Sequence, residues 1–470
     1  MSAERILTKE IAERFKECSW DREDLSKFHK IDEAAAEILI ECKCWLRLDG
    51  LLELSEKSAQ LLSLCEVGLS LNGLKSLPIQ VALKLSSMNE TLELGGISEL
   101  TSDVAQILSH KKGSLILGIT ELSDAVAESL SKFDGALSFD GLTELSDAAA
   151  ESLSRHEGRL RLNALTELSD AAAESLSKHQ GDLCLDGLTE LSDAAAEILS
   201  KHEGSLSLNG LTELSDAAAE SLSKHEGDLC LDGLTELSDA AAEILSKYDG
   251  SLSFSGLTEL SDAAAESLSK YDGGLSLDSL TELSDAAAES LSKLSNVKGY
   301  LYFDGLTELS DAAAESLSKY KGGEIGLDGL TELSDAVAES LSKYKGSLFL
   351  RGLTELSDAA AESLSKCKNG ELLYLDGLTE LSDAAALSLS KHKGELNLDG
   401  LVYLSSDSAK SLSKHKGELY LNGLDDPESF GERAFEFLAE MEPNWLRLHH
   451  EIQPIVESYR DDEDDDLEDE

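Results

Sequence analysis

The phrase Gly-Leu-Thr-Glu-Leu-Ser-Asp-Ala-Ala-Ala-Glu-Ser-Leu-Ser-Lys returns sixteen times along this chain, as copies or near copies, with a usual period of 23 residues. A fixed period of this length specifies a solenoid, because each unit is one supersecondary element that buries its apolar face only against its neighbours. It also overrides the expectation of several globular domains that 470 residues would otherwise set. The repeat leaves function open, but it fixes which side chains line up in rows.

Residues 205–227 show the unit. Ser205-Leu206-Ser207-Leu208-Asn209 alternates apolar and polar residues, the period of a strand with Leu206 and Leu208 inward. Gly210 permits a bend, and Leu211 and Leu214 read as further core anchors. Ser215 is placed to cap a helix, with Asp216 in its first turn. Ala218, Ala219, Leu222 and His225 fall on one helical face, and Glu220 and Lys224 form an i,i+4 pair in the favourable order. Gly227 suits the position just past a helix. The unit is therefore a short strand, a bend and a helix of about two to three turns. Strands lie about 4.8 Å apart and helices about 8–10 Å apart. That mismatch predicts strands on a concave face and helices on a convex one.

The strand pair Leu206 and Leu208, followed by Leu211, resembles the leucine-rich repeat, and the match extends over residues 31–424. The resemblance is to bacterial-type leucine-rich repeat proteins and implies an α/β solenoid. One departure stands out: Leu211 occupies the place where the family pattern carries Asn. A bend held by Gly210 and Thr212 is expected there instead of a buried asparagine ladder.

Four segments are expected. Residues 1–30 form an N-terminal helical cap, with an amphipathic helix over 6–17. Residues 31–424 form the solenoid. Residues 425–460 form a C-terminal cap, with a helix from Asp426 to about Met441 and Phe430, Phe435, Phe437 and Trp445 sealing the last unit. Residues 461–470 form a disordered acidic tail. Three late units are longer, Leu283 to Leu309, Leu309 to Leu333 and Leu356 to Leu381, with the extra residues between helix and next strand.

The formal net charge of −53 repels phosphate backbones and anionic membranes and favours basic proteins or cations. The sequence has no apolar run of transmembrane length, and a charged start unlike a signal peptide. Its seven cysteines are scattered, which suits a reducing compartment. A cytoplasmic monomer is the expectation. No phosphate loop, HExxH or nucleophile elbow occurs, and His449-His450-Glu451 are adjacent, not at ligand spacing. No catalytic residue, metal ligand or cofactor is expected.

Three columns remain. The helix-end column runs Phe133, His156, His179, His202, His225, Tyr248, Tyr271, Leu294, Tyr320, Tyr344, Cys367, His392, His415. Free exchange with Phe and Leu favours semi-buried packing over metal binding, with a helix-dipole gain for a charged His. The strand-end column is Asp140, Asn163, Asp186, Asn209, Asp232, Ser255, Asp278, Asp304, Asp328. Capping of the turn before Gly is favoured, with Ca²⁺ binding as the open alternative. The mid-strand outward column is bland through Arg161, Cys184, Ser207, Cys230, Ser253 and Ser276, then turns to Tyr302, Gly326, Phe349, Tyr374, Asn397 and Tyr420. Tyr300, Arg351 and Leu372 share that face. Exposed aromatics beside an arginine are the chemistry of binding hot spots. The candidate partner-binding set is thus Tyr300, Tyr302, Phe349, Arg351, Leu372, Tyr374 and Tyr420, in a non-enzymatic protein-interaction scaffold. The alternative is an acidic structural solenoid that binds cations or mimics nucleic acid.

Overall fold

The structure, a computed structural model, describes residues 5–17, 24–294, 296, 298–367 and 372–465. The chain divides into two units, Met1–Gly233 and Leu234–Glu470. In the first, strands from Leu46–Arg47 to Leu229–Cys230 pair in chain order, all parallel. Leu206 lies beside Leu183 on one side and Leu229 on the other, so successive repeats are in register. In the second, an 8-stranded parallel sheet runs in chain order from Leu275–Ser276 to Leu446–Leu448. Each strand from Leu46–Arg47 to Leu396–Asn397 leads to a seven-residue helix such as Asp216–Leu222, and consecutive helices pack side by side. Each unit is a leucine-rich-repeat-like α/β solenoid.

The core follows the repeat pattern. Leu206, Leu208, Leu211, Ala218, Ala219 and Leu222 are all fully buried, as are their equivalents in other repeats. Alanines on the inner helix face let the helices sit close over the leucine spine. Leu214 differs from its expected place: it is half-buried, because it precedes the helix at the edge of the stack.

Two polar ladders join the repeats. Ser215 caps its helix, its Oγ accepting the Ala218 N–H at 3.0 Å, and donates its own O–H to Asp193 of the preceding repeat at 2.5 Å. The same pair recurs at Ser169 with Asp147 and at Ser357 with Asp335. The second ladder lies at the strand end. Asp186 accepts the backbone N–H of Asn209 at 3.1 Å, and Asn209 accepts that of Asp232 at 2.9 Å. In the second unit Asp304 accepts from Asp328, and Asp328 from Arg351. These side chains therefore bond the next repeat's backbone, not the turn of their own repeat. An Asx ladder is present after all, displaced to the strand end.

The glycines act through proximity. A Cβ on Gly210 would meet the carbonyl oxygen of Asp186 at 2.2 Å, and one on Gly227 would meet that of Gly204 at 2.3 Å. Among the described residues, Gly113 has a positive φ. Gly227 is thus required by the neighbouring repeat, not by a left-handed helix end.

The ends depart from the repeat. A short strand, Ile6–Leu7, pairs with Lys30–Ile31, and the helix Lys9–Glu17 packs on Glu33–Leu39. At the other end the expected helix from Asp426 is a 3-10 turn, Pro427–Ser429, and then a short helix, Ala434–Ala439. A further strand, Leu446–Leu448, extends the sheet beside Leu419–Leu421. Phe430 is buried, but Phe435 and Phe437 are half-buried and Trp445 is exposed. Ala434, Leu438, Met441, Leu446, Ile452 and Val456 close the core instead. The last helix, Gln453–Asp465, continues into the segment expected to be a disordered tail, of which residues 466–470 lie outside the described residues. Positions 295, 297 and 368–371 of the lengthened loops also lie outside them.

Candidate functional site

The sheet face of the second unit carries three outward columns in register. The first contains Tyr300, Glu324 and Ser347, the second Tyr302, Gly326 and Phe349, then Tyr374, Asn397 and Tyr420. The third is the strand-end column, with Asp304, Asp328, Arg351 and Asp376. Side chains alternate along a strand, so these residues point away from the apolar spine beneath, though Gly326 and Ser347 are covered by their neighbours.

Tyr300, Tyr302, Phe349, Leu372, Tyr374 and Tyr420 are all half-exposed, and Arg351 is exposed. The rings of Tyr300 and Tyr302 stack at 4.7 Å. Tyr302 meets Phe349 edge-on at 6.1 Å, although a whole strand lies between them. Gly326 on that strand makes this possible, since a Cβ there would meet the Tyr302 ring at 2.8 Å. Gly274 seats Tyr300 in the same way, its Cβ position lying 2.5 Å from the ring. Phe349 stacks on Tyr374 at 4.8 Å. Tyr420 stands two strands beyond Tyr374 and is not part of this row; its hydroxyl donates to Glu418 at 2.9 Å.

Carboxylates fringe the rings. Tyr302 donates its hydroxyl to Glu324, and Tyr374 reaches Glu395 at 3.5 Å. Desolvation and then the nearby carboxylate hold both phenols above their ordinary pKa. Burial also raises the Asp304 and Asp376 carboxyls, with neighbouring aspartates adding to the effect. Arg351 stands where adjacent repeats carry Asp. Its guanidinium lies 5.0 Å from the Phe349 ring centre and 4.7 Å from that of Tyr374, within 3.7 Å of Asp328 and Asp376.

The first unit differs. Its mid-strand column, Arg161, Cys184, Ser207 and Cys230, is half-exposed and carries no aromatic ring. Trp45, which the column pattern did not single out, is 45% exposed and lies flat over Gly68. An aromatic residue at or just before the start of a strand with a glycine opposite it in the adjacent repeat is the sequence signal, the glycine lying in the next repeat for Trp45 and in the preceding one for Tyr300.

The helix-end column is internal. His156, His179, His202 and His225 are 1–4% exposed and stack in parallel at 5.8–6.2 Å. Stacked rings face each other and do not converge on one ion. Their ring nitrogens make no hydrogen bond of normal geometry. Burial therefore lowers all four pKa values, with neighbouring histidines adding to the effect for His179, which falls to about 4. The expected gain from a charged His is replaced by a neutral ladder. Two tyrosines of the column reach back to the previous loop, Tyr271 donating to the Gly250 carbonyl and Tyr344 to that of Gly322, whereas the buried Tyr320 hydroxyl has no such partner. Lys111, an unforeseen member, is 1% exposed and donates to the carbonyls of Glu90, Lys112 and Ser114, with burial lowering its pKa to about 8.

No family model matches the sequence, and no curated protein matches it. Solved structures with a similar fold include a leucine-rich-repeat protein of Leptospira interrogans, 20% identical over 85% of this chain and 99% of that one, with a TM-score of 0.41. An internalin of Listeria monocytogenes is 16% identical over 77% of this chain and 88% of its own, with a TM-score of 0.33. A chain of the Drosophila Toll–Spätzle complex is 13% identical over 83% and 55%, also at 0.33. Likenesses of this size say nothing about ligands, and the fold stands on the strand pairing and burial above. No helix among the described residues is long and apolar enough to cross a membrane.

Proposed function

We propose that the chain is a non-enzymatic scaffold that binds a protein on the sheet face of its second unit, through Tyr300, Tyr302, Phe349, Arg351, Leu372, Tyr374 and Tyr420. The observation that carries this reading is the row of half-exposed rings from Tyr300 to Tyr374, in a chain with only 5% aromatic residues. Rigid stacked rings offer contact area with little entropy left to lose on binding. Arg351 fixes Phe349 and Tyr374 from above. The carboxylate fringe and the net charge of −53 favour a basic partner over nucleic acid or an anionic membrane. A cytoplasmic monomer is part of the same reading, and the end segments 1–30 and 425–460 serve as caps.

The test compares the wild-type chain with the Tyr302→Ser, Phe349→Ser, Tyr374→Ser triple variant. A partner captured by the first, lost by the second and footprinted on the ring row supports the reading. A partner held equally by both, and released simply by salt, supports the acidic solenoid that binds cations or mimics nucleic acid.

A further inference from the structure

We propose that this face recognises an arginine side chain of its partner, in a slot formed by the Tyr302 ring with the carboxylates of Asp304 and Glu324. The inference rests on the sheet-face reading above and adds the chemistry of the guest.

The template is internal. Arg351 shows how a guanidinium sits on this surface: over two rings, between Asp328 and Asp376, with its side chain still 46% exposed. The Tyr302 end has the same ingredients without the cation. Tyr302 is braced by Tyr300 on one side and Phe349 on the other. Glu324 is held at its hydroxyl. The floor is Gly326, whose Cβ position would lie 2.8 Å from the Tyr302 ring and 2.7 Å from Asp304 Oδ1. Ring and carboxylate therefore converge on one point. Among the described residues, no basic side chain forms an ion pair with Asp304 or Glu324.

Arginine fits better than lysine. A planar guanidinium stacks on a ring and presents forked N–H donors to a carboxylate at the same time, whereas an ammonium is a point charge. The strand-end aspartates keep their ladder bonds to backbone N–H, and a carboxylate has lone pairs left for a guest.

The probe is a labelled peptide of alternating Arg and Ser, with matched Lys–Ser and citrulline–Ser peptides, titrated into the full chain at fixed physiological salt. Tyr302→Leu is expected to weaken the arginine peptide about tenfold. Asp304→Asn, which keeps the ladder acceptor, is expected to weaken it several-fold, while Glu220→Gln on the helix side, with the same loss of charge, leaves it unchanged. Gly326→Val fills the floor and gives a second route to the loss. Wild-type affinity in Tyr302→Leu and Gly326→Val, or equal binding of the citrulline peptide, overturns the proposal. If arginine selectivity is absent but a partner is still footprinted on the rings and lost by the triple serine variant, the slot fails and the sheet-face reading survives. If the arginine peptide binds as described while the captured partner ignores the triple variant, the sheet-face reading fails alone.

Discussion

The middle of the first unit and the sheet of the second are built from nearly the same 23 residues, yet they place their variation on opposite sides of the core. Around His156–His225 the outward strand column is small and bland, and the helix-end column is a buried stack of neutral imidazoles. Around Tyr300–Tyr374 the outward column is aromatic, and the buried helix-end column carries Leu294, Tyr320, Tyr344 and Cys367 in place of imidazoles, of which Tyr344 caps a loop carbonyl. Leucine spine, alanine seam and serine–aspartate ladder are common to both. A repeat thus tolerates change at two positions: one decides what the surface offers, and the other how the interior responds to protons.

The largest expected difference between the units is therefore in acid. A histidine held below its ordinary 6.5 takes up protons more readily when the chain is unfolded. Its stabilising contribution is full above about pH 6.5 and is lost as the pH falls toward 4. For His179 this amounts to about 3 kcal/mol by pH 4. Hydrogen exchange resolved along the chain between pH 7 and 5 should show the first unit, with its four stacked histidines, opening before the second, whose buried imidazole stack is the pair His392 and His415, and His179→Phe, a residue the column already accepts at Phe133, should flatten that slope. Equal opening of both units, or an unchanged slope in the variant, would break the comparison.

The strand-end ladder comes next. Asp186→Ala leaves the Asn209 N–H and the Ser207 hydroxyl without their acceptor, at a cost of about 2 kcal/mol in chemical denaturation. Asp328→Ala in the second unit should cost at least as much, because it also strips Arg351 of one of its two carboxylates.

These ladders show where the sequence was legible and where it was not. Period and alternation placed Leu206, Leu208 and Leu222 correctly, because burial of apolar side chains is read directly from spacing. What Asp186 and Gly227 do was not visible within one unit, since both act on the adjacent repeat. Leu214 looked like another anchor because its residue type is apolar, and only the stack shows it at an edge. His179 was recognised as packing, but its charge state depends on neighbours that appear after folding. At the C-terminus Leu446-Arg447-Leu448 has strand alternation, which the aromatic residues around it obscured. Of the candidate site, outward placement was readable; the Gly326 seat and the pairing of Arg351 with two aspartates were not.

Two smaller effects sharpen the comparison by being equal in both units. Ser215→Ala and Ser357→Ala each remove a helix cap and should each cost about 1 kcal/mol. Pro78 already lacks such a cap, so Pro78→Ser should recover a fraction of that amount. The exposed pairs Lys224–Glu220 and Lys366–Glu362 should matter least, with Lys→Ala shifting stability by no more than about 0.5 kcal/mol in either unit.

The most direct test of the account is hydroxyl-radical footprinting of the full chain with and without the arginine–serine peptide. Protection of Tyr302, Phe349 and Tyr374 is the predicted result, with Trp45 on the first unit and Tyr403, an exposed residue between strand Leu396–Asn397 and helix Ser406–Leu412 of the second, still oxidised as before. Protection spread evenly over both units, or absent from those three rings, would contradict it.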